Sequence, residues 1–409
     1  MSTRSVLTHV RLRQITTNTD KNFSIFESAF RSFFILAMVS SLFYMTLWTA
    51  IYTFNLKLNF EKVAPTIWHA HEMLFGYAVA VIAGFILTIE KYRFGAIISK
   101  ESALILLIII WILARIFISL TLITDISWKI GAFLDCLFIL ILTIRISYPI
   151  MKGKDRKKAG LGFHLALLTV SNVVFYLGVF GVLSYGQYWG TYSALFLVIS
   201  LILFMGRMMI PLFIRSGLDF RFEPRNWRII DTLSLFFFVV FFILKVFFTN
   251  VRLLPIVSGL LALIYTVRLY GWYSNRIWEK PTLWVLFVAY TWIVIGFGLQ
   301  FLSSYFNISD LIVVHSFTYG AIGMMTIGFM CHFILGHTGR NLLVPPKIAF
   351  WIFIVMLGGA VVRVFFPILD SGNYSLWIAI SQTLWILSFL AFAITFLPML
   401  LEPRIETKM

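Results

Sequence analysis

Seven histidines carry most of the chemistry this sequence offers: His9, His69, His71, His164, His315, His332 and His337. Neutral imidazole is the commonest side-chain metal ligand and often holds haem iron. His9 lies in a polar leader. The other six stand inside long apolar runs or at their ends, where an ionisable side chain marks function by default. His69, His71 and His315 fall where two runs of the same direction begin. His332 and His337 fall where the second of these runs ends, and His164 opens another run at that same face. At 1.5 Å per residue His315 and His332 are about 25 Å apart along a helix, too far to share one metal. The sequence therefore proposes an outer group (His69, His71, His315) and an inner group (His164, His332, His337).

A flat porphyrin needs small neighbours, and small residues follow both outer histidine sites. Gly76, Ala78, Ala80, Ala83 and Gly84 come after His71; Gly320, Ala321, Gly323 and Gly328 come after His315. Propionates favour arginine, and Arg115 and Arg363 lie within apolar runs at outer depth. Glu72 is placed either to fix the tautomer of a ligand histidine or to end a helix in solvent. Asn172 and Gln300 are further polar residues in apolar surroundings. A second reading stands beside the cofactor reading: histidines bonding between helices, small residues for close helix packing, and Arg115 and Arg363 paired with backbone carbonyls or with Asp135.

These residues must be positioned by a membrane. Of the 409 residues 60% are hydrophobic and 12% charged, against about 25% charged in a soluble domain. Apolar runs fall at 33–54, 71–90, 101–124, 128–149, 161–183, 188–214, 230–249, 253–275, 281–305, 310–336, 347–366 and 376–399. Each is near the roughly 20 residues that cross a bilayer, so the expected fold is all-α with about twelve transmembrane helices. The expected division is a basic leader (1–32), one transmembrane domain (33–400) and a short tail (401–409).

The net charge of +16 follows topology rather than nucleic-acid binding. If both termini are cytoplasmic, the inner segments collect Arg4, Arg11, Arg13, Lys21 and Arg31, then Lys91, Arg93 and Lys100, then the cluster at 152–158. Further inner residues are Arg215, Arg221, Arg225, Arg228, Arg276, Lys280, Arg340, Lys347, Arg404 and Lys408. The outer loops hold Lys57, Lys62, Lys129 and Arg252, the bias that the positive-inside rule requires. Arg145, Arg207, Arg268 and Lys245 lie near run ends, within snorkelling reach of an interface. Cys136 and Cys331 both sit in apolar runs, so no disulfide framework is expected. No signal-peptide pattern precedes the first run.

Four motifs resemble the NnrS family: Trp68-His69-Ala70-His71-Glu72-Met73-Leu74-Phe75-Gly76, Phe30-Arg31-Ser32-Phe33-Phe34, Gly206-Arg207-Met208-Met209-Ile210-Pro211, and His315-Ser316-Phe317-Thr318 through Gly336-His337-Thr338-Gly339-Arg340. The resemblance implies a multi-pass protein of the bacterial inner membrane that carries haem (b-type) and copper and serves the nitric oxide and nitrosative-stress response. It makes His69, His71, His315 and His337 metal-site candidates, with His332 outside the motif and Arg31 and Arg340 as motif residues without an assigned role. Depth and small neighbours favour His71 and His315 for haem, with Arg115 and Arg363 beside it. Copper falls to His69 or the inner group. The implied partners are the bilayer, nitric oxide or a related small molecule, and an electron partner that the sequence does not name. Sensing of nitric oxide and an oxidoreductase reaction on it or its metal adducts both suit such a site.

Two other readings compete. A secondary transporter shares the twelve-span plan with both ends inside, but it would be colourless. A haem–copper oxidoreductase needs further histidines in mid-chain, and residues 165–314 contain none.

Overall fold

A computed structural model describes residues 24–94, 101–124, 128–151, 159–218, 222–248 and 252–405. His9, Arg4, Arg11, Arg13, Lys21, the side chains of Lys91 and Arg93, Lys100, segment 152–158, Arg221 and Lys408 lie outside the described residues. So does the loop-charge comparison that rests on them.

Among the described residues, twelve helices long and apolar enough to cross a membrane follow one another: α1 Ala29–Tyr52, α2 Pro65–Ile89, α3 Glu101–Leu120, α4 Trp128–Tyr148, α5 Gly160–Val179, α6 Gly186–Gly217, α7 Arg228–Phe247, α8 Leu253–Trp272, α9 Pro281–Leu302, α10 Asp310–His337, α11 Lys347–Leu369 and α12 Ser371–Leu401. The architecture is all-helical, and the number of spans is the expected one. Boundaries moved most at α2, which begins at Pro65 rather than near His71. Proline at the first helical position lacks only an N–H that would have no intrahelical partner there. The polar Thr66, His69 and Glu72 dilute hydropathy in a turn that is nonetheless helical.

Two spans form the centre. In α2 and α10, 83% and 78% of the membrane-length window is buried, against at most 61% in any other span. Their glycines explain this, because a missing side chain lets a neighbour reach the backbone. A Cβ on Gly320 would collide with the Trp292 ring, and one on Gly328 would lie 2.7 Å from Val285 Cγ1. A Cβ on Gly84 would lie 3.0 Å from Phe33 Cβ. These glycines take part in close helix packing, the second of the two roles considered for them. Around this pair, α1 packs on α2 and α12, α9 on α10, and α6 touches both central helices.

Both central helices also depart from α geometry at one place. Glu72–Ala78 and Ser316–Gly323 are π-helical, a rare form that concentrates at functional sites. Each segment starts on the residue after a histidine, His71 or His315.

The charges within the spans are mostly paired across helices. Asp231 accepts from Arg268 at 2.8 Å and from Arg207 at 3.0 Å. Lys245 pairs with Asp310, which opens α10. Arg207, Arg268 and Lys245 thus hold carboxylates as well as standing near span ends. Cys136 and Cys331 are free thiols.

Candidate functional site

The outer histidines separate into two environments because of helical geometry. Successive residues turn by about 100°, so positions two apart face nearly opposite ways. His71 turns toward α3, α4 and α5. Its Nδ1 lies 3.0 Å from Glu72 Oε1, and its Nε2 lies 3.2 Å from Asn172 Oδ1 and 3.5 Å from Asp135 Oδ2. Phe175 stacks on the ring, centroid to centroid 4.2 Å. Arg115 donates to Glu72 at 2.9 Å and also pairs with Asp135, which further accepts from Asn172 at 3.0 Å and Tyr176 at 2.9 Å. Glu72 and Asn172 are 0% exposed, His71 and Asp135 1% and Arg115 5%, so this is a dry ionic network. Both ring nitrogens of His71 face oxygen atoms, and both arms of Arg115 are held by carboxylates.

His69 turns the other way. It lines a cavity of about 260 Å³ framed by α1, α2, α6, α10, α11 and α12, whose walls include Trp48, Tyr192, His315, Tyr319, Arg363 and Gln382. Trp48 stacks on the His69 ring at 4.6 Å and 10°. His69 Nδ1 is buried and has no hydrogen-bond partner. His315 Nδ1 donates to the Leu311 carbonyl at 2.6 Å, and Arg363 Nη2 lies 3.1 Å from His315 Nε2. The structure therefore brings His69, rather than His71, to one void with His315. Of the two candidate arginines it brings Arg363 there and not Arg115.

The inner histidines are dispersed. His332 packs its ring 3.7 Å from that of Phe213, and its Nδ1 is buried without a partner. His337 lies between Phe30 at 5.4 Å and Phe333 at 4.0 Å. His164 is tied to Gly160 O at 2.6 Å and Ser200 Oγ at 2.9 Å. Among the described residues, no three His, Cys, Asp or Glu side chains gather as a metal site.

With the geometry in view, comparison with known protein families shows that residues 24–404 match the family described as NnrS protein. The chain belongs to the NnrS family. No curated protein sequence matches it. NnrS proteins are multi-pass membrane proteins linked to the nitric oxide response. The NnrS motifs occupy distinct places in the fold. Arg31 of the first motif donates to Leu400 O at 2.7 Å and Glu402 O at 2.6 Å, and Arg340 donates to Glu402 Oε2 at 2.6 Å. Two motif arginines thus fasten both sides of the C-terminal end of α12. The central motif supplies Arg207 to Asp231 and carries Pro211 inside α6. The two histidine motifs open the π segments.

Several participants escaped the sequence reading. Trp48, Tyr319, Gln382 and Tyr374 line the cavity, yet as single aromatic or amide residues in apolar runs they carry no spacing signal. One signal was available: His71-x-x-x-Phe75-Gly76 and His315-x-x-x-Tyr319-Gly320 share one spacing, and both coincide with π segments.

The donor set fits a metal-bearing group. Two half-buried imidazoles line the void: His69, whose buried Nδ1 has no partner, and His315, whose Nδ1 is tied to Leu311 O and whose Nε2 would have to exchange its 3.1 Å contact with Arg363 Nη2 for a metal. Haem supplies four ligands itself and needs only one or two imidazoles. For copper the same pair supplies two ligands. The void lies just below the about 300–1,000 Å³ of pockets for drug-sized molecules, so a porphyrin requires rim residues such as Thr66 and Leu311, both exposed, to give way.

Proposed function

We propose that this NnrS protein binds haem between His69 and His315 in the outer half of the bundle, in the bacterial inner membrane, and acts in the response to nitric oxide. The observation that carries the reading is the shared cavity. Two segments far apart in the chain bring His69 and His315 to the lining of one void, and His69 Nδ1 is buried without a partner. A buried polar atom without a partner costs about 1–3 kcal/mol, and a metal bond removes that cost. When bound, ferrous haem supplies a tight site for nitric oxide. The chain's own residues hold the His69 ring flat against Trp48 and orient His315 through Leu311. His71 supports the site indirectly: through Glu72 and Arg115 it locks the first turns of α2, and hence His69, against α3 and α4.

The remaining parts of the proposal concern topology. Loop charge supports cytoplasmic N- and C-termini, and a single transmembrane domain over 33–400 between leader and tail covers the twelve spans except the first four residues of α1 and the last of α12. On that orientation the cavity faces the periplasmic side. Copper belongs at the same pair or at the inner histidines.

Optical spectra and metal analysis of the purified chain test the reading. Wild type reconstituted with haem shows a Soret band. His69→Ala and His315→Ala each shift or abolish it, whereas His71→Ala alters protein stability before it alters the spectrum. A Soret band unchanged in both cavity variants, or none in wild type after haem supplementation, defeats the proposal. Consumption of nitric oxide with an artificial electron donor separates turnover from sensing.

A further inference from the structure

The far wall of the cavity is built from donors. Arg363 on α11 is 7% exposed and Gln382 on α12 is 4% exposed, and both line the void. Arg363 Nη2 rests 3.1 Å from each ring nitrogen of His315, and its guanidinium carbon stands 6.0 Å from the Tyr374 ring centroid. Its Nη1 has no hydrogen-bond partner. Gln382 accepts from Thr53 at 2.9 Å through Oε1, while its Nε2 has no partner.

Arg363 also differs from five other cations in its ion pairing. Arg115, Arg207, Lys245, Arg268 and Arg340 each pair with a carboxylate, and among the described residues none pairs with Arg363. A guanidinium is always charged and only donates, and an amide nitrogen only donates. A buried cation in apolar surroundings is costly unless an anion compensates it. Water would satisfy the donors but not the charge. Tyr374 also hydrogen-bonds to Arg363 but brings no countercharge; an occupant with acceptors and a negative charge would supply it, and the guanidinium fork matches a planar group with two oxygens.

We propose that the cavity holds a two-oxygen anion, a carboxylate or nitrite, bound by Arg363 Nη1 and Gln382 Nε2. The chemistry is common to a porphyrin propionate and to free nitrite. The inference rests on the donors and the missing countercharge, so it stands whether or not haem is the metal-bearing group.

The test begins with the full chain purified without haem in lipid nanodiscs. Trp48 and Trp385 line the cavity, so intrinsic fluorescence reports on it, and thermal melting gives a second readout. Sodium nitrite and sodium acetate give saturable changes that sodium chloride at equal ionic strength does not. Arg363→Gln raises the half-saturating concentration at least tenfold, Gln382→Leu raises it several-fold, and Arg363→Lys retains part of the response. Haem and its propionate dimethyl ester then distinguish the sources. If a propionate is the occupant, the ester binds wild type at least tenfold more weakly than haem, and haem loading abolishes the nitrite response. If a free anion is the occupant, ester and haem bind alike, and the haem-loaded protein still answers to nitrite. No saturable anion response in wild type, together with equal binding of ester and haem, overturns the proposal. So does an anion response that Arg363→Gln and Gln382→Leu leave unchanged. Should Arg363→Gln fail to fold, Gln382→Leu and the ester comparison in wild type carry the test. An intact nitrite response with no haem binding sinks the haem reading alone.

Discussion

Replacing Arg115 by methionine isolates the ionic network from the cavity. The substitution keeps the volume and apolar stem of the side chain but removes the cation shared by Glu72 and Asp135, which are 0% and 1% exposed. Glu72 then keeps the His71 contact, and Asp135 keeps Asn172 and Tyr176, but neither has a full countercharge beside it. Removing one partner of a buried ion pair costs about 3–5 kcal/mol, which is a hundredfold or more in the ratio of folded to unfolded protein at about 1.4 kcal/mol per tenfold. Denaturant titration in mixed micelles, followed by tryptophan fluorescence, measures the loss. Neutralising the carboxylates as well, in the triple variant Glu72→Gln, Arg115→Met, Asp135→Asn, restores most of it, because the cost lies in the uncompensated charge. The Arg115→Met protein that remains folded keeps its anion response, since Arg115 does not line the cavity. Stability of Arg115→Met within about 1 kcal/mol of wild type, or a triple variant no better than the single one, would refute the reasoning.

Gly320→Ala places a methyl group against the Trp292 ring and lowers stability by about 1–3 kcal/mol, as overpacking does. Gly298→Ala meets nothing within 4 Å and raises stability by up to about 1 kcal/mol through helix propensity; the same denaturant titration ranks the two. His332→Phe removes a buried nitrogen that has no partner and retains the ring contact with Phe213. It leaves stability unchanged or improved and metal content unaltered, and loss of bound metal in that variant would restore His332 to the ligand set.

The span count was legible because hydropathy over about 20 residues is a coarse property that tolerates a histidine or glycine in the window. The central position of α2 and α10 was foreshadowed by their glycines, though close packing and a flat cofactor make the same demand for small residues. The assignment of His69 against His71 was half legible. Their spacing already forbids both from facing one void, but which of them does depends on Asp135 and Asn172, which reach His71 from α4 and α5. Arg115 and Arg363 looked alike for the same reason. Each is an arginine in an apolar run, and only tertiary contacts give one of them two carboxylates and the other an imidazole and an aromatic ring. Gln382 gave no warning, because a lone amide in a hydrophobic run is as easily a helix-packing residue as a ligand contact.

The paired π segments give the histidine-bearing spans a local tolerance of length that composition does not show. A π segment takes in about one residue more than the α-helix it replaces, and one residue corresponds to about 100° of rotation. Excising a single residue from Glu72–Ala78 or Ser316–Gly323 would leave a span still long enough to cross the bilayer. The segment would then close into ordinary α-helix, and everything upstream, His69 or His315 included, would keep its face relative to the inner half of the helix. A one-residue deletion in the regular α-helical part of either span has no such slack and would turn the upstream histidine by about 100°.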